Sequence, residues 1–374
     1  MISASHNPIE DNGIKFFGPD GFKLSDEDEE GIEALLDDPA ATSSLRPTGL
    51  DVGMSQAMHG LVDRYFVALI EDGARLAGMT VVVDCAYGAA YEIAPHVFRR
   101  LGAEVVELHC EDDGSQINVE CGATDLRALR ARVGELRAAE NERVIGVAFD
   151  GDADRVLFVD EEGQEISGDH VMLILGREMQ RAGALPHSTV VGTVMSNAGL
   201  EKALAAEGIR LERTPVGDRY VLEEMRAHGY RFGGEQSGHV IDLTRNTTGD
   251  GPATAVALLS TVARSGKRLH DLAAAMQSYP QVLVNVTVRS DGGIAAREAL
   301  LSAPAVRAAT DRAAEELAGD GRILVRPSGT EPLLRVMLEG PSREQIDRLA
   351  ASVAAAIQAA EHARSGGRSG REGG

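Results

Sequence analysis

Three aspartates alternate across Asp150-Gly151-Asp152-Ala153-Asp154, Arg155 follows, and apolar runs flank the segment on both sides, Val144–Phe149 and Val156–Val159. The pattern predicts three carboxylates on a tight turn between two strands. Like-charge repulsion disfavours such crowding unless a cation compensates. All-oxygen ligands suit Mg²⁺, Mn²⁺ or Ca²⁺ rather than zinc, and Mg²⁺ usually shares its shell with phosphate oxygens, so the turn also predicts a phosphorylated partner. A helix-loop-helix calcium loop would use Asp150, Asp152, Asp154 and Glu161, but it needs a glycine where Arg155 stands. A solvated acidic hairpin turn is the plain alternative.

Three further segments combine groups that can handle phosphate or sugar. Ser3-Ala4-Ser5-His6-Asn7-Pro8 is a polar loop, followed by Asn12-Gly13-Ile14-Lys15 and a strand expected around Phe16-Phe17. A serine with His6 and Lys15 nearby can serve as nucleophile or phosphate carrier, the cations stabilising charge and one group moving protons. Arg326-Pro327-Ser328-Gly329-Thr330-Glu331 joins two expected strands, with Arg335 in the second. Hydroxyls, backbone N–H groups freed by glycine and a bidentate guanidinium make a phosphate cradle there. No Walker loop or dinucleotide glycine fingerprint occurs, so that phosphate belongs to a small ligand. Gly233-Gly234-Glu235-Gln236-Ser237-Gly238-His239 presents Glu235, Ser237 and His239 at alternate positions, which on an extended segment share one face and can hydrogen-bond a polyol. Thr214 to Tyr220 adds another polar turn containing Gly217, Asp218 and Arg219.

The elements that must carry these loops are those of repeated α/β units. Thr80–Leu108 and Thr189–Arg213 share one order of strand, small-residue turn, amphipathic helix, glycine and strand, as in a βαβ crossover. The end of the chain differs: Val282–Val288 alternates apolar and polar residues, an alanine-rich helix covers Ala305–Leu317, and Ile323–Arg326 pairs with Leu333–Leu338. Ser342 to Gln345 reads as a capping box opening a helix with apolar positions Ile346, Leu349, Ala350, Val353, Ala354 and Ile357. The expected fold class is α/β, repeated α/β domains with mixed sheets covered by helices, plus a C-terminal α+β domain. At 374 residues the chain exceeds what one core usually supports. A formal charge of −21 argues against nucleic acid and anionic membrane as partners. Three cysteines without metal or redox spacing fit a reducing, cytoplasmic setting.

Taken in order, these segments resemble the α-D-phosphohexomutase superfamily, and the wording ISASHNP, DNGIKFF, TPVGDRYV, GGEQSGH, NTTGDG and RPSGTEPLLRVM is typical of its glucosamine branch. The likeness runs from Met1 to about Ala360. It implies that Ser5 is the phosphoserine, that Asp150, Asp152 and Asp154 hold Mg²⁺ with the serine phosphate as a further ligand, and that Arg155 lies beside them. It likewise implies that Gly217, Asp218, Arg219, Glu235 and Ser237 bind the sugar, while Arg326, Ser328, Gly329, Thr330 and Arg335 hold the phosphate that is not reacting. Lys15, His6 and His239 are open candidates for proton transfer or charge stabilisation.

The implied reaction interconverts glucosamine 6-phosphate and glucosamine 1-phosphate through a bisphosphate, feeding UDP-N-acetylglucosamine and cell-wall synthesis. A hexosamine or hexose 1,6-bisphosphate primes the serine, and a homodimer is possible. Mannose or glucose phosphates are the alternative substrates, and an inactive sugar-phosphate binding protein or a metal-dependent phosphatase are the alternative roles. The implied domains are 1–57, a remnant of the phosphoserine-bearing α/β domain, 58–166 for metal, 167–277 for sugar, and 278–363 for phosphate, with 364–374 as a disordered tail. Family members carry more of the first domain ahead of the serine loop, so residues 1–57 are expected to fold poorly alone and activity to be low.

Overall fold

Unbroken runs of valine and isoleucine bury both faces of a strand, and the first large sheet forms where they occur. The computed structural model describes residues 1–369 apart from 59, 140–141, 289–292 and 329–330. The chain divides into two compact units, one of Met1–Ser196 with Ala203–Met276, the other of Asn197–Lys202 with the chain from Gln277 onward.

In the first unit a small antiparallel pair, β1 (Ile2–Ser3) and β2 (Gly13–Ile14), matches Ser3 with Gly13. The next sheet contains β3 (Thr80–Asp84), β4 (Glu104–Leu108), β5 (Val144–Phe149), β6 (Val156–Val159) and β7 (Glu165–Ile166), in the order β4-β3-β5-β6-β7. β3 runs parallel to β4 and β5, whereas β5, β6 and β7 are antiparallel, so the sheet is mixed. The crossover helix Ile93–Arg100 buries Ala94, Val97 and Phe98, and Gly102 at φ 96° turns the chain into β4. A third sheet orders β8 (Thr189–Thr193), β9 (Arg210–Thr214), β10 (Phe232–Gly234) and β11 (Val240–Asp242) as β11-β10-β8-β9, parallel except for the β10–β11 hairpin. The strands and crossovers expected of the two βαβ units are therefore present, within a residue or two of the expected bounds.

The strand expected at Phe16-Phe17 is not there. Gly18-Pro19-Asp20-Gly21 pulls the chain out of the ladder, with Gly18 N–H donating to the Phe22 carbonyl, and Phe17 makes only an isolated bridge to Lys23.

Little apolar surface anchors the start of the chain. Among the described side chains before Gly60, Ala4 alone is buried, and Leu50 and Met54 stand fully in solvent. Limited digestion with a low-specificity protease should therefore cut first between Ser25 and Met58 and leave a resistant fragment beginning near Gly60. A first cut inside β3–β9 would contradict this.

In the second unit β12 (Gln281–Thr287), β13 (Arg322–Pro327) and β14 (Leu333–Glu339) form an antiparallel sheet ordered β12-β14-β13. Helices Pro304–Leu317 and Arg343–Ser369 pack on it around Val286, Val336, Leu338, Ile346 and Val353. Gln345 N–H donates to Ser342 Oγ at 3.3 Å, so the predicted cap opens the last helix. Helix Gly293–Leu301 is not foreshadowed by the sequence pattern. The last helix also continues to Ser369, into the stretch expected as a disordered tail, because adding a turn to an existing helix is cheap and Arg364 Nη1 donates to the Ala296 carbonyl at 2.8 Å.

Candidate active site

The aspartate turn is the hairpin that closes β5 onto β6, where Phe149 pairs with Val156. Its own backbone holds it: Ala153 N–H donates to the Asp150 carbonyl, and Arg155 N–H donates to Asp150 Oδ1, both at 3.1 Å. One oxygen from each of Asp150, Asp152 and Asp154 lies within 4.8 Å of the other two. Asp150 Oδ2, Asp152 Oδ1 and Asp154 Oδ1 are buried without a hydrogen-bond partner. Buried carboxylate oxygens left in that state are costly, and a hard divalent cation among them removes the cost. The helix-loop-helix calcium alternative ends here, since both flanks are strands.

Electrostatics split the three acids. Burial first, then the charges of Asp154 and Asp152, push Asp150 up to about 7. Burial also acts against Asp154, but His239, Lys15 and Arg155 outweigh it and hold that carboxyl well below its usual range. Because Asp150 titrates higher folded than its ordinary 3.8, its proton stabilises the metal-free fold at low pH, and that contribution is lost as pH rises through about 7. A bound cation must displace this proton. Mg²⁺ affinity measured by calorimetry should be about tenfold weaker at pH 6 than at pH 8. Equal affinity at the two pH values would contradict the arrangement.

The serine loop lies against this turn. A side chain at Gly151 would put its Cβ 2.5 Å from the Ser5 carbonyl oxygen and 2.7 Å from Asn118 Nδ2, so glycine is required between Asp150 and Asp152. Asn118 Nδ2 donates to the carbonyls of Ser5 and Asn7, each at 2.8 Å. Ser3 Oγ donates to Asp152 Oδ2 at 2.6 Å and accepts from Ser5 N–H at 2.9 Å. Ser5 sits at φ 52°, with its Oγ 3.3 Å from His6 Nδ1. Lys15 Nζ donates to Asp152 Oδ2 at 2.8 Å and lies 3.7 Å from Asp154 Oδ2. Burial lowers the Lys15 pKa, but Asp152, Asp154 and Asp218 raise it further, so the ammonium stays charged. Burial and the charge of Arg155 pull His6 below its ordinary value, so the imidazole is neutral near pH 7.

His239 closes the other side through a backbone bridge to Arg155. Its Nε2 accepts from Gly249 N–H at 3.2 Å, which leaves the ring proton on Nδ1, 3.5 Å from Asp154 Oδ1. The expected common face for Glu235, Ser237 and His239 is not found. Gly238 at φ 95° and its N–H bond to the Glu235 carbonyl make these residues a hairpin turn between β10 and β11, with Glu235 and His239 buried opposite each other and Ser237 at the exposed tip. Glu235 Oε1 instead accepts from Gly217 N–H at 3.0 Å, at a glycine whose φ is 133°. Asp218 pairs with Lys23, and Arg219 pairs with Glu223 along its own helix.

A cavity of about 250 Å³ opens beside Asp152 and Asp154, with Lys15, Lys23, Tyr65 and Asn246 in its wall. Lys23 and Asn118 have no motif around them, so the sequence pointed to neither. Asp250 caps its helix through Ala253 N–H and accepts from Tyr65 Oη at 2.6 Å.

In the second unit, Arg326 and Arg335 are cross-strand partners. Burial, then the charge of Arg335, lowers the Arg326 pKa, and two adjoining guanidiniums favour an anion between them. Ser328 is buried, and its carbonyl accepts from Arg297 Nη1 at 2.7 Å. Arg297 was not foreseen, being an isolated arginine on an unpredicted helix. Gly329 and Thr330, expected in this cradle, lie outside the described residues.

The family of the chain is shown by comparison with known proteins. The phosphoglucomutase/phosphomannomutase family profiles match at residues 1–42 (α/β/α domain I), 50–163 (domain II), 167–279 (domain III) and 283–356 (C-terminal domain). The chain belongs to this family of phosphohexomutases, isomerases that act by phosphoryl transfer. It is 51% identical over 354 residues to the phosphoglucosamine mutase of Moorella thermoacetica, covering 94% of this chain and 77% of that protein. The phosphoglucosamine mutase of Symbiobacterium thermophilum is also 51% identical, over 96% of this chain and 77% of its own length. A crystal structure of a phosphoglucomutase/phosphomannomutase family protein from Burkholderia thailandensis superposes with a TM-score of 0.77 at 25% identity, covering 96% of this chain and 75% of that one. N-acetylphosphoglucosamine mutase from Aspergillus fumigatus, solved with GlcNAc-6P and magnesium, shares the fold at a TM-score of 0.74 and 20% identity, over 96% of this chain and 88% of its own.

Proposed function

We propose that this chain interconverts glucosamine 6-phosphate and glucosamine 1-phosphate, with Ser5 as the phosphate carrier. The observation that carries the reading is the packing of the Ser5 backbone on Gly151, which brings the serine loop against the carboxylate turn although the two are far apart in sequence, with one oxygen of each aspartate buried without a hydrogen bond. Half-identity to enzymes named phosphoglucosamine mutase supports the amino-sugar substrate. Asp150, Asp152 and Asp154 are assigned to Mg²⁺, which when bound neutralises charge on a phosphoryl group.

In the forward direction the P–O bond to Ser5 breaks as one forms to O1 of glucosamine 6-phosphate, and the O1 proton passes to a base. The bisphosphate turns over, the P–O6 bond breaks as its phosphoryl returns to Ser5 Oγ, the base gives its proton to O6, and glucosamine 1-phosphate leaves. Neutral His6, 3.3 Å from Ser5 Oγ, is the best-placed base. Lys15 remains an ammonium and supplies charge to the moving group. Arg326, Arg335 and Ser328, with Gly329 and Thr330, are assigned to the idle phosphate. A trace of hexose 1,6-bisphosphate is required to charge an empty serine.

Turnover of glucosamine 6-phosphate, mannose 6-phosphate and glucose 6-phosphate, measured with Mg²⁺ and catalytic bisphosphate, tests this. The glucosamine substrate should lead in kcat/KM by at least about tenfold. Preference for mannose or glucose phosphate would overturn the substrate assignment. Steady release of inorganic phosphate, or binding without isomerisation, would overturn the activity.

A further inference from the structure

A second group of metal-ligating side chains lies at the carboxyl end of β3, outside the aspartate turn. One atom each from Asp84, His109 and Cys121 lies within 4.8 Å of the other two. Asp84 is fully buried at the end of its strand and Cys121 is also fully buried, while His109 follows β4 and is reached from solvent. Asp84 Oδ2 and His109 Nδ1 are 3.0 Å apart, within ion-pair distance, and both atoms are shut off from solvent. The carboxylate itself is fixed, since Asp84 Oδ1 accepts from Ala86 N–H at 3.0 Å. Gly122 lets Cys121 come this close: a Cβ there would lie 2.3 Å from the Phe149 carbonyl oxygen and 2.4 Å from Ala86 Cβ.

We propose that Asp84, His109 and Cys121 form a binding site for a borderline-soft divalent cation of the Zn²⁺ type, with water as its fourth ligand. Nitrogen and oxygen ligands about 2.0–2.1 Å from a tetrahedral ion are about 3.3 Å apart, close to the observed spacing of Asp84 and His109. A sulfur ligand needs about 3.6 Å to its neighbours, inside the 4.8 Å within which Cys121 Sγ lies of both. The thiolate and imidazole separate this site from the all-oxygen triplet, which takes a hard cation. Binding releases the Cys121 thiol proton. The ion would tie both ends of the segment from His109 to Cys121, and that segment carries Asn118, whose amide holds the Ser5 and Asn7 carbonyls.

Co²⁺ titration of the metal-stripped chain in excess Mg²⁺, which keeps the triplet filled, reads the site directly. The expected result is one Co²⁺ per chain with a thiolate-to-cobalt charge-transfer band in the near ultraviolet, displaced by Zn²⁺. The band should vanish in Cys121→Ser, require at least about tenfold more Co²⁺ in His109→Ala, and survive in Cys85→Ser and Cys110→Ser. Absence of the band in the unaltered chain would overturn the proposal and leave Asp84 and His109 as an ion pair. Its persistence in Cys121→Ser, or its loss in Cys85→Ser or Cys110→Ser, would overturn it too.

Discussion

Replacing Ser5 with alanine should lower mutase turnover by on the order of 10⁴-fold or more, because the substitution removes the atom that is proposed to carry the phosphoryl group between the two sugar oxygens. The fold should barely notice. The loop is held by backbone groups of Ser5, its carbonyl bonded to Asn118 and its N–H to Ser3, whereas its Oγ touches only the His6 ring among the described hydrogen bonds. Stability should therefore change by no more than about 1 kcal/mol, and Mg²⁺ binding should remain. Activity within tenfold of the unaltered chain would remove Ser5 from the reaction. A collapse in stability would instead mean that the loop is held differently.

The second large effect concerns Asp150 and has opposite signs for stability and activity. Asn at this position keeps an oxygen to accept from Arg155 N–H but removes a charge that is buried beside two others. Without metal and at pH 8, Asp150→Asn should be more stable than the parent by on the order of a few kcal/mol, since the parent must ionise a carboxyl whose folded pKa has been pushed to about 7. With Mg²⁺ the order should reverse. The parent gains stability from the ion and the variant does not, while turnover of the variant falls by about 10³-fold. Thermal unfolding with and without Mg²⁺ checks the first half and steady-state kinetics the second. A variant that is destabilised without metal, or that keeps a full Mg²⁺-dependent gain in stability, would contradict the assignment of the triplet.

Much of this site could be read locally. β5 and β6 fall on the two predicted apolar runs because strands buried on both faces declare themselves by unbroken hydrophobicity, and the aspartates then have nowhere to be but the connecting turn. Glu235, Ser237 and His239 were misjudged because period-two alternation places side chains only if the backbone is extended, and Gly238 makes it turn. Phe16 and Phe17 looked like a strand by composition, but Gly18-Pro19 removes them from the ladder. The contacts that join distant segments left no sequence trace. Asn118 under Ser5, Lys23 against Asp218, Arg297 behind Ser328, and the Asp84, His109 and Cys121 group each bring single residues together through the fold, and no spacing rule marks them.

The central claim is that Ser5, whose loop packs on the aspartate turn, carries phosphate during turnover. Mass spectrometry of the intact chain, with peptide mapping, before and after incubation with glucose 1,6-bisphosphate and then with glucosamine 6-phosphate, tests it most directly. One phosphate should appear on Ser5 and be lost when the sugar phosphate is added. No phosphate, phosphate mapped to another residue, or a phosphate on Ser5 that the substrate cannot discharge would contradict the account.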